Sequence, residues 1–525
     1  MRSVETVVCL VALATVVAAF ANRLRVPAPS LLVVVGVGVG LLPGVPAIEV
    51  PPAVVSLVVL PPLLYAASEE LTWRDLRTVW RSVLVLAVGL VVASAAAVAA
   101  AAAAVAALSV SMAFVLGAAL ASTDPVAVSA LARRLSLPAR VQALVQAESL
   151  FNDGTSLVLF QVAVAVAAGG AAGTTVTGLL LHGAGEFVLL AGGGVLAGLV
   201  VAAVAIVVRR RVTDPVLETV AALLTPYGAF LLGEELHVSG VTAVIVAGLA
   251  VGRWRPRITT ASTRLQVHAV YQTLIFVLES VVFSLIGLQL PVLVRSLSGA
   301  GRWSLAALAV TATLIVTRVA WVFPLWAAAH WRRGRRPDWA VPAIISWAGT
   351  RGVVPLAAAL SIPLTTASGA ALPQRDLVVV IAAAVIVCSL VVQGFTLEPL
   401  ARSAGLGQPR ATGRGHEETI ARLRLADAAL VRLDELAESN AAADVVIDRL
   451  RAGLQARLAG TGAAARGPDA DPGQRTEREL RGDLLAAESA ELARLFDDGT
   501  ISSATRQRLQ RSLDLELARL ADGQR

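Results

Sequence analysis

Residues 121–128 read Ala-Ser-Thr-Asp-Pro-Val-Ala-Val and residues 148–156 read Glu-Ser-Leu-Phe-Asn-Asp-Gly-Thr-Ser, both inside long apolar runs. Three carboxylates, Asp124, Glu148 and Asp153, thus lie where hydrocarbon is the surrounding solvent. On insertion scales each such charge costs about 3 kcal/mol, so ionisable groups kept there serve an ion, a proton or a partner charge. Asp124 precedes Pro125, which removes a backbone donor and disfavours helix at the aspartate. The first motif therefore reads as a helix broken in mid-membrane. The second fits an intact helix, on which Ser149, Asn152 and Asp153 share one face and Glu148 points off it.

The chain around these motifs is too apolar for a soluble protein of its size. Its 525 residues are 56% hydrophobic and 15% charged, with a mean hydropathy of +0.74, which fits an all-α polytopic membrane protein. The net charge of +7 does not point to nucleic acid, because the 44 basic residues are all arginine and most of those before residue 400 fall in short loops. Cys9 and Cys388 are far apart and both in apolar segments, which reads as two buried free thiols. Five scattered histidines give no metal-ligand spacing, and no motif asks for a cofactor.

Apolar spans are predicted at about 4–21, 29–43, 51–67, 82–107, 111–132, 141–168, 185–209, 215–234, 238–253, 267–295, 303–329, 339–363 and 376–401, thirteen in all. Arg23/Arg25, Arg74/Arg77/Arg81, Arg133/Arg134/Arg140, Arg209–Arg211, Arg253/Arg255/Arg257/Arg264 and Arg332/Arg333/Arg335/Arg336 occupy every second loop. By the positive-inside rule this places the N-terminus outside and the C-terminal tail in the cytoplasm. Glu218, Glu234 and Glu235 lie at span ends and are expected to be solvated. A transmembrane domain over 1–402 is followed by a charged tail over 403–525, with Ile420, Leu423, Leu430, Leu433 and Leu436 at helical spacing. A Gly/Pro/Ala stretch near 459–475 separates that helix from two more at about 477–496 and 503–522.

The span 339–363 contains Trp347-Ala-Gly-Thr-Arg-Gly-Val-Val-Pro355, whose glycines, arginine and proline again predict an unwound turn. The broken spans are thus the fifth and the twelfth, seven apart, as inverted repeats of six helices about a linker would place them. Paired discontinuous helices in inverted repeats are the signature of a secondary transporter with its site at the midplane. Asp124 and Arg351 are placed to offset the partial charges of the half-helix ends.

Thr-Asp-Pro-Val-Ala-Val at 123–128, Glu-Ser-Leu-Phe-Asn-Asp-Gly at 148–154 and Trp-Ala-Gly-Thr-Arg-Gly at 347–352 resemble the cation:proton antiporter 1 family. This family includes NhaP-like bacterial antiporters and animal sodium/proton exchangers. Leu-Pro-Pro-Leu-Leu-Tyr at 60–65, Ser-Leu-Ile-Gly-Leu-Gln-Leu at 284–290 and Val-Gln-Gly-Phe-Thr at 392–396 extend the resemblance across residues 1–401, and the segment 513–520 is similar to tails of one bacterial branch. The resemblance implies that Asn152-Asp153 is an ion-binding pair whose Asp153 takes a monovalent cation or a proton. It implies that Thr123, Asp124 and Ser149 complete the site. Glu148 matches a glutamate paired with an arginine of the eleventh span, where Arg318 lies at mid-span, and Arg351 matches an arginine beside the twelfth-span break. Two departures stand out: relatives carry an acid where Ala66 stands, and Glu279 sits in the tenth span where many have a neutral residue, making it a possible substitute acid.

The expected function is secondary active antiport of a monovalent cation, Na+ with Li+ or K+ as alternatives, against H+. The resemblance further implies a homodimer in the cell membrane acting in pH and sodium homeostasis. With Asn152 beside it, Asp153 is the single acid of the pair, so one-for-one electroneutral exchange is expected. The competing reading is a gated cation channel or an ion or pH sensor signalling through the tail, although no carbonyl-filter repeat is present.

Overall fold

The computed structural model describes residues 11–23, 28–42, 52–124, 139–169, 176–296, 302–331, 339–403, 414–439, 444–458 and 474–522, apart from positions 18, 22, 213, 367 and 368. Among the described residues every element is helical except an isolated bridge between Thr365 and Ala371. The helices are α1 (Val11–Ala21), α2 (Ala28–Gly40), α3 (Pro52–Glu70), α4 (Trp73–Ala106), α5 (Val110–Leu120), α6 (Ala139–Gly169) and α7 (Val176–Arg211). They continue as α8 (Pro215–Glu235), α9 (Gly240–Ile258), α10 (Ala261–Ser296), α11 (Trp303–Trp331), α12 (Ala340–Trp347), α13 (Val353–Leu360) and α14 (Arg375–Ser403). The tail forms α15 (Arg414–Glu438), α16 (Asp444–Leu458), α17 (Gln474–Asp497) and α18 (Ser503–Asp522).

Seven of these helices, α4, α6, α7, α8, α10, α11 and α14, are long and apolar enough to cross a membrane, and α1, α2 and α5 are shorter apolar helices. The helix expected to begin at 82 begins instead at Trp73. Thr72 caps it by accepting from the Asp75 amide at 3.3 Å while donating to the Asp75 carboxylate at 2.6 Å. Leu76, Val79 and Val83 bury one face of these first turns. The 34 residues of α4 extend about 51 Å at 1.5 Å per residue, longer than the roughly 30 Å hydrocarbon layer. A π turn over Val85–Leu90 interrupts it, with Gly89 facing the Trp321 ring.

Two compact units divide the chain. The first holds residues 1–211, 220–257 and 270–408. Within it α4 packs on α5 and α11, α5 on α6, and α11 and α13 on α14. Gly36 and Gly287 bring α2 and α10 into backbone contact, which places the 284–290 motif in a helix crossing.

The second unit holds 409–525 together with 212–219 and 258–269. Its interior is built from two apolar clusters, one around Leu425, Leu492, Phe496 and Leu513 and one around Leu433, Leu450, Leu454 and Leu484. The tail thus has four described helices rather than three, α16 being a separate element. Arg264 donates through Nε to Asp514 at 3.0 Å, also through Nη2 to the same carboxylate, and through Nη1 to the Thr259 carbonyl at 2.6 Å. Glu218, expected to be solvated, is buried with 3% of its surface exposed.

Candidate functional site

The site begins where two helices stop. α5 ends at Leu120 and residues 122–124 leave helical geometry, so their backbone groups need other partners. They find them in the gap between α12 and α13, where residues 348–352 are also unwound. The Asp124 amide donates to the Thr350 carbonyl at 2.8 Å, and the Thr350 hydroxyl donates to the Asp124 carbonyl at 3.1 Å. Arg351 reaches across through Nη1 to the carbonyls of Ser122 at 2.6 Å and Ala121 at 3.2 Å. A guanidinium therefore neutralises the carbonyl end of α5, as expected for a cation at a helix C-terminus.

α6 runs unbroken beside this crossing and presents its polar face to it. Asn152 donates through Nδ2 to Thr123 Oγ1 at 2.5 Å and accepts from the Thr123 amide at 3.4 Å. Ser149 donates to the Thr123 carbonyl, and Ser122 donates to the Asp153 carboxylate. One turn on, Ser156 donates to the Ala118 carbonyl at 2.6 Å. Thr123, Ser149, Asn152 and Asp153 are all buried, Asp153 being 8% exposed. The charges acting on Asp153 are Asp124, Arg351 and Glu148.

Glu148 faces away from this cluster and meets Arg318 of α11. Arg318 Nη1 lies 2.8 Å from Oε1 and Nη2 donates to Oε2 at 3.0 Å, while Nε donates to the Ile345 carbonyl at 3.0 Å. The guanidinium thus holds both Glu148 and the last turn of α12. Two glycines of the break make room: a Cβ at Gly349 would meet the Arg318 side chain, and one at Gly352 would meet the Asp124 carboxylate. Glu279 on α10 is half-buried and interacts electrostatically with Asp124, which adds α10 to the helices around the crossing. The Ala66 position offers no acid, and Glu69, three residues on, lies 3.7 Å from Arg255 and 3.9 Å from Arg209.

Two participants, Ser122 and Ser389, were given no role from the sequence. Ser122 precedes the threonine of the motif and binds Asp153 directly. Ser389 accepts from the Arg351 amide at 3.0 Å and donates to Gln393 at 2.6 Å. Trp347 donates to Thr396 at 2.8 Å, so the 347–352 and 392–396 motifs are joined through these contacts. A small cavity beside the break is lined by Arg318, Ser346, Gly349, Arg351, Ser389 and Gln393.

Residues 10–403 match the family model described as "Sodium/hydrogen exchanger, transmembrane". The chain belongs to the sodium/hydrogen exchanger family. An uncharacterized Na+/H+ exchanger of Mycobacterium tuberculosis is 35% identical over 98% of this chain and 96% of its own length. The Na+/H+ antiporter of Aphanothece halophytica is 31% identical over 79% of this chain and 77% of its own. The solved sodium proton antiporter of Methanocaldococcus jannaschii shares the fold with a TM-score of 0.61 at 20% identity, covering 78% of this chain and 99% of that one. This exchanger-family chain is therefore a multi-pass membrane protein, and its 122–124 and 348–352 crossing lies within the family's transmembrane region.

Proposed function

We propose that the protein exchanges Na+ for H+ across the cell membrane, using Asp153 as the carboxylate for which the two compete. The observation that carries this reading is the placement of Asp153, 8% exposed, on an intact helix facing two unwound segments. A carboxylate kept in such a low-dielectric setting is stable when a proton or a cation neutralises it. Loading one cargo therefore expels the other, so the gradient of one ion drives movement of the other. Thr123, Ser149 and Asn152 supply the oxygen-rich surroundings that suit a hard monovalent cation. Their bonds to one another hold the site open at the unwound backbone.

Asp124 occupies the break itself, supporting the half-helix ends, and Arg351 balances the exposed carbonyls. Glu148 and Arg318 serve as a fixed ion pair that clamps α6 and α11 to α12. Alternation of the arginine loops supports an outside N-terminus and a cytoplasmic tail, and the relatives' names support Na+ as the cation. We assign the protein to pH and sodium homeostasis as a homodimer, with the transmembrane domain ending near residue 402.

Reconstitution in liposomes tests this. An imposed Na+ gradient is expected to drive saturable proton flux, and Asp153→Asn is expected to abolish that flux while leaving the protein folded. Single-channel currents in place of coupled flux, or normal exchange by the folded variant, would refute the proposal.

A further inference from the structure

The apolar stripe of α17 runs Leu480, Leu484, Leu485, Leu492, Leu495, and its middle is occupied by Glu488. Its neighbours at four residues on either side, Leu484 and Leu492, belong to the two apolar clusters of the tail bundle, and Glu488 itself is 4% exposed. Arg457 of α16 is shared between two acids: Nη1 lies 3.2 Å from Glu488 and Nη2 lies 3.3 Å from Glu516 of α18. These two are the charges that act on Glu488. From α15 the same interior receives Leu425, Ala429 and Leu433, which carry no charge. Two carboxylates thus compete for one guanidinium, one of them in an apolar interior.

Glu516 and Asp514 are two residues apart on α18, and Asp514 holds Arg264 in the 258–269 stretch of the same unit. This helix contains the 513–520 segment noted in the sequence, and the alternating acids of that segment thereby gain a structural purpose: one fastens α18 to Arg264 and the other to the Arg457–Glu488 pair.

We propose that Glu488 is the titrating group of a pH switch in the tail, closing α18 onto α16 when neutral and loosening it when ionised. When Glu488 is protonated, Arg457 belongs to Glu516 and the bundle interior carries no charge. When it ionises, it draws Arg457 away from Glu516 and places a carboxylate between two apolar clusters. Burial first, and then the neighbouring Glu516, push its carboxyl up to about 7, against the lowering effect of Arg457. For an acid raised on folding, the stabilisation of the closed bundle is complete at low pH and is lost as pH rises through that value. The switch therefore turns where a pH-regulating exchanger needs it.

The test uses the full chain in lipid nanodiscs, with Cys9 and Cys388 replaced by serine and a nitroxide placed on Leu515→Cys, a position 46% exposed on α18. Spin-label mobility is followed from about pH 5.5 to 8.5, a range that brackets the value expected for Glu488. Mobility is expected to rise with a midpoint near 7. Glu488→Gln is expected to remove the transition and keep the label immobilised. Glu516→Gln removes the acid that Arg457 holds in the closed state and is expected to leave the label mobile across the range. A flat profile in the parent protein, an unchanged midpoint in Glu488→Gln or a parent-like transition in Glu516→Gln would each overturn the proposal. The label reports without transport, so its failure and that of the antiport reading are distinguishable.

Discussion

Glu148 and Arg318 show most simply how single side chains hold this site. Each is buried, at 1% and 4% exposure, and each has the other as its ion-pair partner. Removing one leaves a charge stranded, typically at about 3–5 kcal/mol. Glu148→Ala and Arg318→Ala are both expected to lower the melting temperature in detergent clearly, and unchanged melting of either would show that the pair does not brace the helices. Arg318→Lys is expected to rescue only in part, because an ammonium cannot both fork onto the carboxylate and reach the Ile345 carbonyl. The partners on one helix face were legible from spacing alone, as Ser149, Asn152 and Asp153 illustrate. Ser122 and Ser389 were not. Hydroxyls are ordinary in such helices, and only the tertiary approach of α14 and the unwound 122–124 backbone gives these two their bonds to Asp153 and Arg351.

Among the elements, the unwound stretch between α12 and α13 was readable because glycine and proline change the backbone wherever they fall, as Gly349, Gly352 and Pro355 do; how the chain continues after Asp124 lies outside the described residues. The start of α4 was not readable. Arg74, Asp75, Arg77 and Arg81 make residues 73–81 look like loop, yet Leu76, Val79 and Val83 share a buried face and the Thr72 cap starts the helix there. In the tail, α16 merged with its neighbour because a continuous Leu/Ala pattern hides where one helix ends and the next begins. The break also makes a testable demand at Gly352, where an added methyl group would collide with the Asp124 carboxylate. Gly352→Ala is expected to cost about 1–3 kcal/mol of stability as an overpacked position and to reduce transport. The double variant with Asp124→Ser is expected to regain stability, since the colliding carboxylate is gone. Additive losses in that cycle would show that the two positions are not coupled.

For the whole molecule, charge balance decides whether a membrane potential acts on the cycle. Asp153 is the acid of its pair, Glu148 stays with Arg318, and Arg351 stays on the carbonyl end of α5. If these partners persist through the cycle, the loaded site has the same charge with Na+ as with H+. A membrane potential, worth about 2.3 kcal/mol per charge per 100 mV, then does no work on it. The Na+ gradient at which proton flux reverses is expected to stay fixed when a diffusion potential of either sign is applied to proteoliposomes. A reversal point that moves with voltage would mean a second titrating acid, and Glu279, which interacts electrostatically with Asp124, is the first to replace by glutamine. Competition at Asp153 is itself open to direct measurement in purified protein without any gradient. Na+ added to the weakly buffered protein at a pH low enough that the ion-free Asp153 is protonated is expected to release one proton per ion bound, and Asp153→Asn, still folded, is expected to release none. Na+ binding without proton release in the wild type, or undiminished release in the variant, would contradict the assignment of Asp153 as the shared site.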